Sequence, residues 1–337
     1  MIRYAGQPLP ERPRIAVLAN DAIGNFVVAT PLLQMLRAER FPSMIAYFGG
    51  RRTWEFQTAS ELFDATEALH GSDDDGVRAL VEKYAGSFDL IVNLERTDLA
   101  KRFASSIAGK ETLVSGPALG PVGDDLPFAS DDRGKLWEDQ NWKSKDLLQR
   151  YPFLDTPFIG EIFCRLCYLD SPMPDYKLPR ADPPIELPQL WISMSASLPE
   201  KLWRPGAWRD VLRRARSAGR SVGLLGATRR SQREHWLGAD VEDELVEEGL
   251  VQDWRGRMSL PQVVGALKRA RAVLTIDNGI LHMAVAARAP TVGLYRHGIH
   301  RLWAPPSDRL TVLTPGDGRS VDQIDAGNAW TAVLEAM

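Results

Sequence analysis

The stretch LTIDNGILHMAVAARAPTVGLY, residues 274–295, decides the fold of this chain. It continues an apolar run, Ala272–Ile276, which predicts a buried parallel strand ending at the polar turn Asp277-Asn278-Gly279. Apolar residues then recur at helical spacing until Pro290, and Thr291–Tyr295 predicts the next strand. The pattern is a strand, a polar turn, a helix and a second strand, which is typical of an open α/β sheet.

The polar turn between strand and helix is the first candidate site. Open α/β sheets bind their ligands outside the carboxyl ends of the strands. The first amides of a helix favour an anion at the same position. His282 follows Asn278 by one helical turn, so we expect it over the same crevice.

Further strand and helix patterns flank this unit along the chain. Five other apolar runs predict buried strands: Ile15–Ala19, Met44–Phe48, Asp89–Asn93, Gln189–Met194 and Val222–Leu225. Residues 26–39 predict a helix after the first of these strands, and residues 146–169 predict a longer helical segment. The fold class we expect is α/β, with two Rossmann-like halves.

A proline-rich segment separates the two halves. The sequence SPMPDYKLPRADPPIELP, residues 171–188, carries six prolines and is typical of a linker. We therefore predict an N-terminal domain over 1–170 and a C-terminal domain over 189–337, facing each other across a cleft where a ligand binds. The last helix is expected to pack back on the N-terminal domain.

Composition excludes several classes of protein. The net charge of −3 gives no general attraction to nucleic acid. No apolar run approaches the ~20 residues of a membrane span, and no signal core precedes the first strand. A cytoplasmic enzyme is the simplest interpretation. Peripheral contact with a membrane remains compatible with it.

The two cysteines predict buried thiols. Cys164 and Cys167 form a single CxxC in a segment with the pattern of an amphipathic helix. A structural zinc site needs about four Cys or His ligands, and the sequence has no second CxxC and no HxxxH. We therefore expect no metal site.

Three elements of the second half are candidates for one ligand site. Ser197 and Lys201 follow a predicted strand, where a lysine can neutralise a phosphate; a solvated loop lysine is the alternative. Met258 precedes a predicted helix N-cap, Ser259, with Pro261 in the first turn. The third element is the Asp277–His282 turn, although an isolated Asp-Asn-Gly is usually only a tight turn.

The order and spacing of these elements resemble the ADP-heptose:lipopolysaccharide heptosyltransferases of glycosyltransferase family 9. That family carries K-x-W, G-x-x-S-L and D-[ST]-G-x-x-H-x-A segments, then a strand ending in L-Y-G-P-T. Its first half commonly has x-x-D-x-I-G-D followed by T-P-x-L-x-x-L. The corresponding segments here are Lys201-Leu202-Trp203, Gly256–Leu260, Asp277–Ala284, Leu294–Gly298, Asn20–Asn25 and Thr30–Leu36.

The resemblance implies a GT-B fold whose C-terminal half binds a nucleotide-diphosphate sugar. Ser197 and Lys201 would hold the diphosphate, and Met258 would lie against the adenine. Asp277, Asn278 and Gly279 would hold sugar and phosphates, with His282 beside them. Enzymes of this fold need no divalent ion for the transfer. The resemblance therefore implies no cofactor, with the nucleotide-diphosphate sugar as co-substrate.

On the acceptor side the chain departs from the family. The aspartate usually taken as the base is Asn25 here, after Gly24, and an amide cannot accept the proton. Asp21, in the same turn, is our first choice for the base, with helix capping as the alternative. Glu95 and Asp98, beyond the Asp89–Asn93 strand, come next.

A second departure is Arg296-His297, which stands where the family usually has Gly-Pro. It adds cationic side chains after the Thr291–Tyr295 strand. It suggests a different donor sugar or an acceptor with negative charge.

The resemblance implies an inverting, metal-independent glycosyltransferase of bacterial glycoconjugate biosynthesis. It would move a heptose-like sugar from an ADP- or other nucleotide-linked donor to a glycan, lipid-linked or other hydroxyl acceptor. Asn25 keeps open a non-catalytic nucleotide-sugar-binding protein, and a GT-B nucleotide-sugar epimerase is the second rival. A nicotinamide dehydrogenase is disfavoured because no GxGxxG follows the first strand.

Overall fold

A computed structural model describes residues 1–183, 186–316 and 320–337 of the chain. The chain divides into two compact units, Met1–Lys177 and Leu178–Met337. The boundary falls inside the proline-rich segment 171–188, of which Pro184 and Ile185 lie outside the described residues. Each unit contains one six-stranded sheet in which every pair of neighbouring strands is parallel. The predicted α/β fold class is confirmed.

The first unit has the strand order of a Rossmann sheet with one extra edge strand. Its strands are β1 (Ile2–Arg3), β2 (Arg14–Leu18), β3 (Met44–Gly50), β4 (Ala65–His70), β5 (Leu90–Asn93) and β6 (Leu113–Ser115). Its helices are α1 (Ile23–Arg40), α2 (Trp54–Ala59), α3 (Asp74–Tyr84), α4 (Asp98–Ile107), α5 (Asp132–Glu138), α6 (Leu147–Arg150) and α7 (Ile159–Leu166). The strands lie in the order β4-β3-β2-β5-β6-β1. The order therefore reverses direction between β2 and β5.

The second unit repeats this arrangement. Its strands are β7 (Leu190–Ser193), β8 (Val222–Leu224), β9 (Gln252–Asp253), β10 (Ala272–Ile276), β11 (Thr291–Leu294) and β12 (Leu310–Leu313). Its helices are α8 (Pro205–Ser217), α9 (Arg229–His235), α10 (Ala239–Glu247), α11 (Leu260–Lys268), α12 (Gly279–Ala286), α13 (His300–Trp303) and α14 (Ala326–Ala336). The order β9-β8-β7-β10-β11-β12 is that of a dinucleotide-binding sheet, and its switch point lies between β7 and β10.

Continuous apolar runs become central strands because both faces of a parallel sheet are covered. All five residues of β10 are buried, and the strand pairs with β7 and β11. Trp191 of β7 and Trp208 of α8 are fully buried. Burying each large apolar side chain contributes roughly 1.5–3 kcal/mol, so this packing fixes the strand ends that carry the polar turns.

The structure corrects one expectation about helices. Residues 146–169 do not form one helical segment, since α6 and α7 are separated by a loop containing Pro152 and Pro157. Proline removes a backbone donor and disfavours helix in the residue before it. The last helix, α14, packs on α8, β10 and β11 of its own unit.

The cysteines lie buried, as the sequence predicts. Cys164 and Cys167 are free thiols in and directly after α7. Burial raises the pKa of the Cys167 thiol to about 12, which keeps it protonated. Neither residue is poised as a nucleophile.

No helix in the described part of the chain is both long enough and apolar enough to cross a membrane.

Candidate functional site

The candidate donor residues gather at the switch point of the second sheet. β7 and β10 are neighbours in register, with Ser193 opposite Thr275. The loops that leave these two strands therefore start side by side at the carboxyl edge of the sheet. One loop leads to Lys201, and the other is the Asp277–Gly279 turn.

Lys201 and Asp277 form an ion pair at this edge. Lys201 ends a short 3₁₀ turn, Pro199–Lys201. Its Nζ lies 2.9 Å from Asp277 Oδ2 and donates to the Asp277 carbonyl oxygen at 3.1 Å. The side chains are 20% and 6% exposed, respectively, so the ammonium reaches solvent and the carboxylate barely does. The pair holds a cation at the strand end, where a phosphate could share it.

Asn278 is the N-cap of α12. Its Oδ1 accepts from the Ile280 amide at 3.0 Å and from the Leu281 amide at 3.4 Å. Its Nδ2 donates to Ser193 Oγ at 3.0 Å and to the Ser195 carbonyl at 3.3 Å. The side chain thus ties the start of α12 to the end of β7. The Ile280 and Leu281 amides, which lie at the helix start where the sequence predicts an anion, therefore already donate to this cap.

His282 lies in the interior, which corrects its expected position over the crevice. Its side chain is buried, at 2% exposure, and its ring makes an edge contact with Trp303 at 6.3 Å between centroids. Burial lowers the pKa of the imidazole to about 4, although the charge of Asp277 acts in the opposite direction. The ring is therefore neutral near pH 7 and supplies no positive charge.

The other three predicted donor residues sit at different depths. Gly279 is the first residue of α12 and is half-buried, whereas Ser197 is exposed. Met258 is half-buried directly before Ser259, which caps α11. Ser259 Oγ accepts from the Gln262 amide and the Gln262 side chain accepts from the Ser259 amide, so the predicted cap is confirmed as a full capping box.

Sequence reasoning missed the residues that tie this site together. Ser193 and Ser195 hold Asn278, and Ser195 Oγ accepts from Gln232 Nε2 at 2.6 Å. Gln232 in turn donates to Glu242, which is fully buried against Arg255 at 3.2 Å. Ser193 ends the strand that pairs with β10, so the strand-end rule could have found it. Nothing in the local pattern points to Gln232 or Glu242.

The first unit places carboxylates at its own switch point. Asp21 follows β2 and is held by Arg52, whose amide donates to Oδ1 at 2.7 Å and whose Nε donates to Oδ2 at 3.2 Å. A Cβ added to Gly50 would lie 2.3 Å from Asp21 Cγ, so glycine is required for this approach. The Asp21 side chain is 14% exposed.

Glu95 contacts Asn20, the residue that precedes Asp21 in the chain. Glu95 follows β5, and its Oε1 accepts from the Asn20 amide at 3.1 Å. Asn20 Oδ1 accepts from the Ala22 amide at 2.8 Å and turns the chain into α1. Burial raises the pKa of the Glu95 carboxyl, which the Asn20 amide partly offsets. A carboxylate with a raised pKa at a strand end is a candidate proton acceptor.

The remaining acceptor-side predictions fall on helix starts. Gly24 and Asn25 are half-buried in the first turn of α1. Asp98 is the first residue of α4 and is exposed, directly after the Thr97 cap. The structure thus brings Asp21 and Glu95 to the switch point, with Asn25 in the helix turn that follows Asp21.

Two more polar groups lie near these carboxylates and were missed by sequence reasoning. The Tyr47 hydroxyl is buried without a hydrogen-bond partner in the described residues, and the charges of Glu95 and Asp21 raise its pKa further. His70, at the end of β4, has its pKa lowered mainly by burial, with Asp21 acting in the opposite direction. Arg52 follows the end of β3 at Gly50, and His70 is the last residue of β4.

Among residues 1–183, 186–316 and 320–337, no group of three or more His, Cys, Asp or Glu side chains is placed to hold a metal ion.

Comparison with known proteins assigns this architecture. Residues 170–323 match the sequence model of glycosyltransferase family 9 (heptosyltransferase). The chain is 31% identical over 135 residues to lipopolysaccharide heptosyltransferase 1 of Pseudomonas aeruginosa. The aligned residues make up 38% of this chain and 36% of that protein. The chain spans about a third of the length of the curated relatives it matches.

Solved structures agree over nearly the whole chain. A family 9 glycosyl transferase from Veillonella parvula superposes with a TM-score of 0.70 at 15% identity, covering 97% of this chain and 99% of that one. The ADP-heptose lipopolysaccharide heptosyltransferase II of E. coli gives 0.68 at 16% identity, covering 96% and 98%. These similarities confirm the predicted GT-B type of fold. Over residues 170–323 the chain is therefore similar to the family 9 glycosyltransferases.

Proposed function

We propose that this chain is an inverting, metal-independent glycosyltransferase that uses a nucleotide-diphosphate sugar, with an ADP-linked heptose-like sugar as the first candidate. The observation that carries the proposal is the Lys201–Asp277 pair beside the capped start of α12, at the switch point of the second sheet. The same segment lies inside the family 9 match.

The donor diphosphate would bind at this switch point. Lys201 Nζ is held at the strand end by Asp277, the residue that precedes the N-cap of α12. As the bond to the anomeric carbon breaks, negative charge grows on the leaving diphosphate. A fixed ammonium and the positive end of a helix stabilise that charge without reorganising. Met258, before α11, would lie against the base, and Ser197 and Gly279 would contact the phosphates.

The acceptor hydroxyl would attack the anomeric carbon from the face opposite the diphosphate, so the configuration inverts. A carboxylate of the first unit would take the hydroxyl proton. Asp21 is our first candidate because it is fixed in one position by Arg52 and remains partly exposed. Glu95 is the second candidate because burial raises the pKa of its carboxyl. Asn25 would contact the acceptor without accepting a proton.

The proposed partners follow from this chemistry. The donor is a nucleotide sugar, and the acceptor is a glycan, a lipid-linked glycan or another hydroxyl compound. A cytoplasmic location, where nucleotide sugars are available, and peripheral contact with a membrane belong to the same proposal. We propose no nucleic-acid partner.

The test is a screen of ADP-, GDP- and UDP-sugars by thermal shift, followed by a transfer assay. A donor present at 100 times its Kd should add about 2.7 kcal/mol of stability. With a competent acceptor, nucleotide diphosphate should be released, and a chelator should leave the rate unchanged. Loss of activity with chelator would contradict metal independence.

A second candidate function is favoured by Asn25. If no base replaces the missing aspartate, the chain binds nucleotide sugar without transferring it. Tight donor binding without release of nucleotide diphosphate, whatever the acceptor, would support that candidate. Conversion of a nucleotide sugar in the absence of acceptor would instead support an epimerase.

A further inference from the structure

A buried polar network joins the end of β7 to two helices of the second unit. Gln232, in α9, and Glu242, in α10, are both buried. Gln232 Nε2 donates to Ser195 Oγ at 2.6 Å and to the Glu242 carboxylate at 2.9 Å. Ser195 is also buried, two residues beyond the end of β7. The network therefore reaches the strand end at which the proposed donor site lies.

The glycine in the loop after β8 leaves room for this contact. A Cβ added to Gly226 would lie 2.6 Å from Gln232 Nε2, closer than two such atoms can approach. The Gly226 carbonyl accepts from the Gly256 amide at 3.0 Å, so this loop is held against the loop after β9. A larger residue at position 226 would displace the Gln232 amide from Ser195.

Glu242 fixes which end of the Gln232 amide faces Ser195. The carboxylate accepts from Arg255 Nη1 at 3.2 Å, and this ion pair favours its ionised form. Burial raises the pKa of the Glu242 carboxyl, whereas the hydrogen bonds from Gln232 and the charge of Arg255 lower it. An ionised carboxylate can only accept hydrogen bonds, so it must face the NH2 end of the amide. The same NH2 group is thereby placed against Ser195 Oγ.

Ser195 connects this network to the start of α12. Its carbonyl accepts from Asn278 Nδ2 at 3.3 Å, and Asn278 caps α12. Asp277, which pairs with Lys201, directly precedes Asn278 in the chain. A displacement of Ser195 would therefore move the helix start and, with it, the carboxylate that holds Lys201.

We propose that Gln232 is a positioning residue of the donor site, which fixes Asn278 and the Lys201–Asp277 pair through Ser195. The role requires no contact between Gln232 and the nucleotide. The inference rests on the proposed function, because it takes the start of α12 as the place where the donor diphosphate binds. Binding of the diphosphate, rather than of the nucleoside, should therefore depend on Gln232.

The test is the Gln232→Met variant, which removes the amide and keeps the approximate volume of the side chain. ADP, inorganic pyrophosphate and adenosine are titrated calorimetrically into the full chain. We expect the affinities for ADP and pyrophosphate to fall at least about fivefold and that for adenosine less than about twofold, because the lost buried hydrogen bond displaces only the phosphate end of the site. A general loss of stability would weaken the binding of all three ligands alike.

Gln57→Met is the matched control. Gln57, in α2 of the first unit, is also buried, and its Nε2 donates to the Gly50 carbonyl and to Thr53 Oγ1, both at 2.7 Å. The control therefore loses the same kind of buried amide, and all three affinities should stay within about twofold of wild type. Melting temperatures show whether both variants remain folded.

A second variant, Ser195→Ala, tests the path through Ser195 and does not require Gln232→Met to fold. It should reproduce the selective loss of ADP and pyrophosphate affinity. Combined with Gln232→Met it should add little further loss, because substitutions of two residues in direct contact are not additive. Equal losses for ADP and adenosine, or additive losses in the double variant, would overturn the proposed role.

A further measurement separates this inference from the proposed function. Hydrogen exchange of the Ile280 and Leu281 amides, which donate to the Asn278 cap, is followed by NMR without ligand. Faster exchange in Gln232→Met, together with no ADP binding by wild type, would support the fixing of Asn278 by Gln232 and contradict the donor assignment. ADP that binds wild type, binds more weakly to Lys201→Ala and binds Gln232→Met unchanged would overturn the inference and leave the proposed function standing.

Discussion

The two switch points of this molecule share a strand order and differ in their chemistry. In the second unit, the strand ends carry an ammonium paired with a carboxylate, followed by a helix start capped by Asn278. In the first unit, the strand ends carry two carboxylates, Asp21 and Glu95, steadied by Arg52 and the Asn20 amide. Both sheets therefore present the same type of strand edge. The residues on each edge decide whether it can bind a phosphate or accept a proton.

The largest effect expected concerns Asp277. Asp277→Ala should abolish transfer, because it removes the carboxylate that fixes Lys201 at the strand end. The melting temperature should also fall, because the pair is largely buried and its loss leaves the Lys201 ammonium uncompensated, but the variant should stay folded. Near-native turnover would show that the donor assignment is wrong. Asp240→Ala, in the first turn of α10, is the matched control.

The second prediction concerns Asp21, the proposed base at the switch point of the first unit. Asp21→Asn should lower turnover at least about 100-fold and leave ADP affinity unchanged, because it removes the proton acceptor but no donor contact. Asn25→Asp should be tolerated. If Asp21→Asn has normal turnover and Glu95→Gln instead loses at least about 100-fold, Glu95 is the base. In that case the rate should fall as pH drops below the raised pKa of Glu95.

A smaller effect is expected for Lys201. Lys201→Ala should weaken ADP binding by about 10- to 100-fold, equivalent to about 1.4–2.7 kcal/mol, and leave adenosine binding nearly unchanged. Lys268→Ala, at the end of α11, provides a control with the same loss of charge. Equal losses for ADP and adenosine would mean that Lys201 does not contact the phosphates.

The smallest effect on function, and a measurable one on stability, concerns His282. The folded pKa of about 4 lies below the ordinary value of 6.5, so folding favours the neutral ring. The stability from this preference is present above pH 6.5 and is lost as the pH falls toward 4. Denaturant titrations should show a loss on the order of 3 kcal/mol across that window. His282→Gln should flatten this part of the profile; an unchanged profile would contradict a neutral buried ring.

The sequence predicted the positions of strand ends better than it predicted contacts. Apolar runs such as Ala272–Ile276 define buried parallel strands, and the polar turn after each one must lie at the carboxyl edge. That reasoning reached Asp21, Glu95, Lys201 and Asp277. This reasoning works because packing determines which segments become central strands, and the hydrophobic pattern of the sequence predicts that packing.

Long-range pairing was not predictable from local pattern. Arg52 meets Asp21 only because Gly50 leaves room for the carboxylate, and this requires knowing that β2 and β3 are neighbours. His282 lies on a helix that the sequence predicts, yet its burial depends on Trp303, which approaches from a later element. The capping role of Asn278 depends on Ser193 and Ser195 in the same way.

The central claim is that the switch point of the second sheet holds the donor diphosphate. The most direct measurement is a crystal structure of the chain with ADP bound. The account predicts a phosphate oxygen within about 4 Å of Lys201 Nζ, near the start of α12, with the adenine on the Met258 side. A diphosphate bound instead against the carboxylates or arginines of the first unit would contradict it.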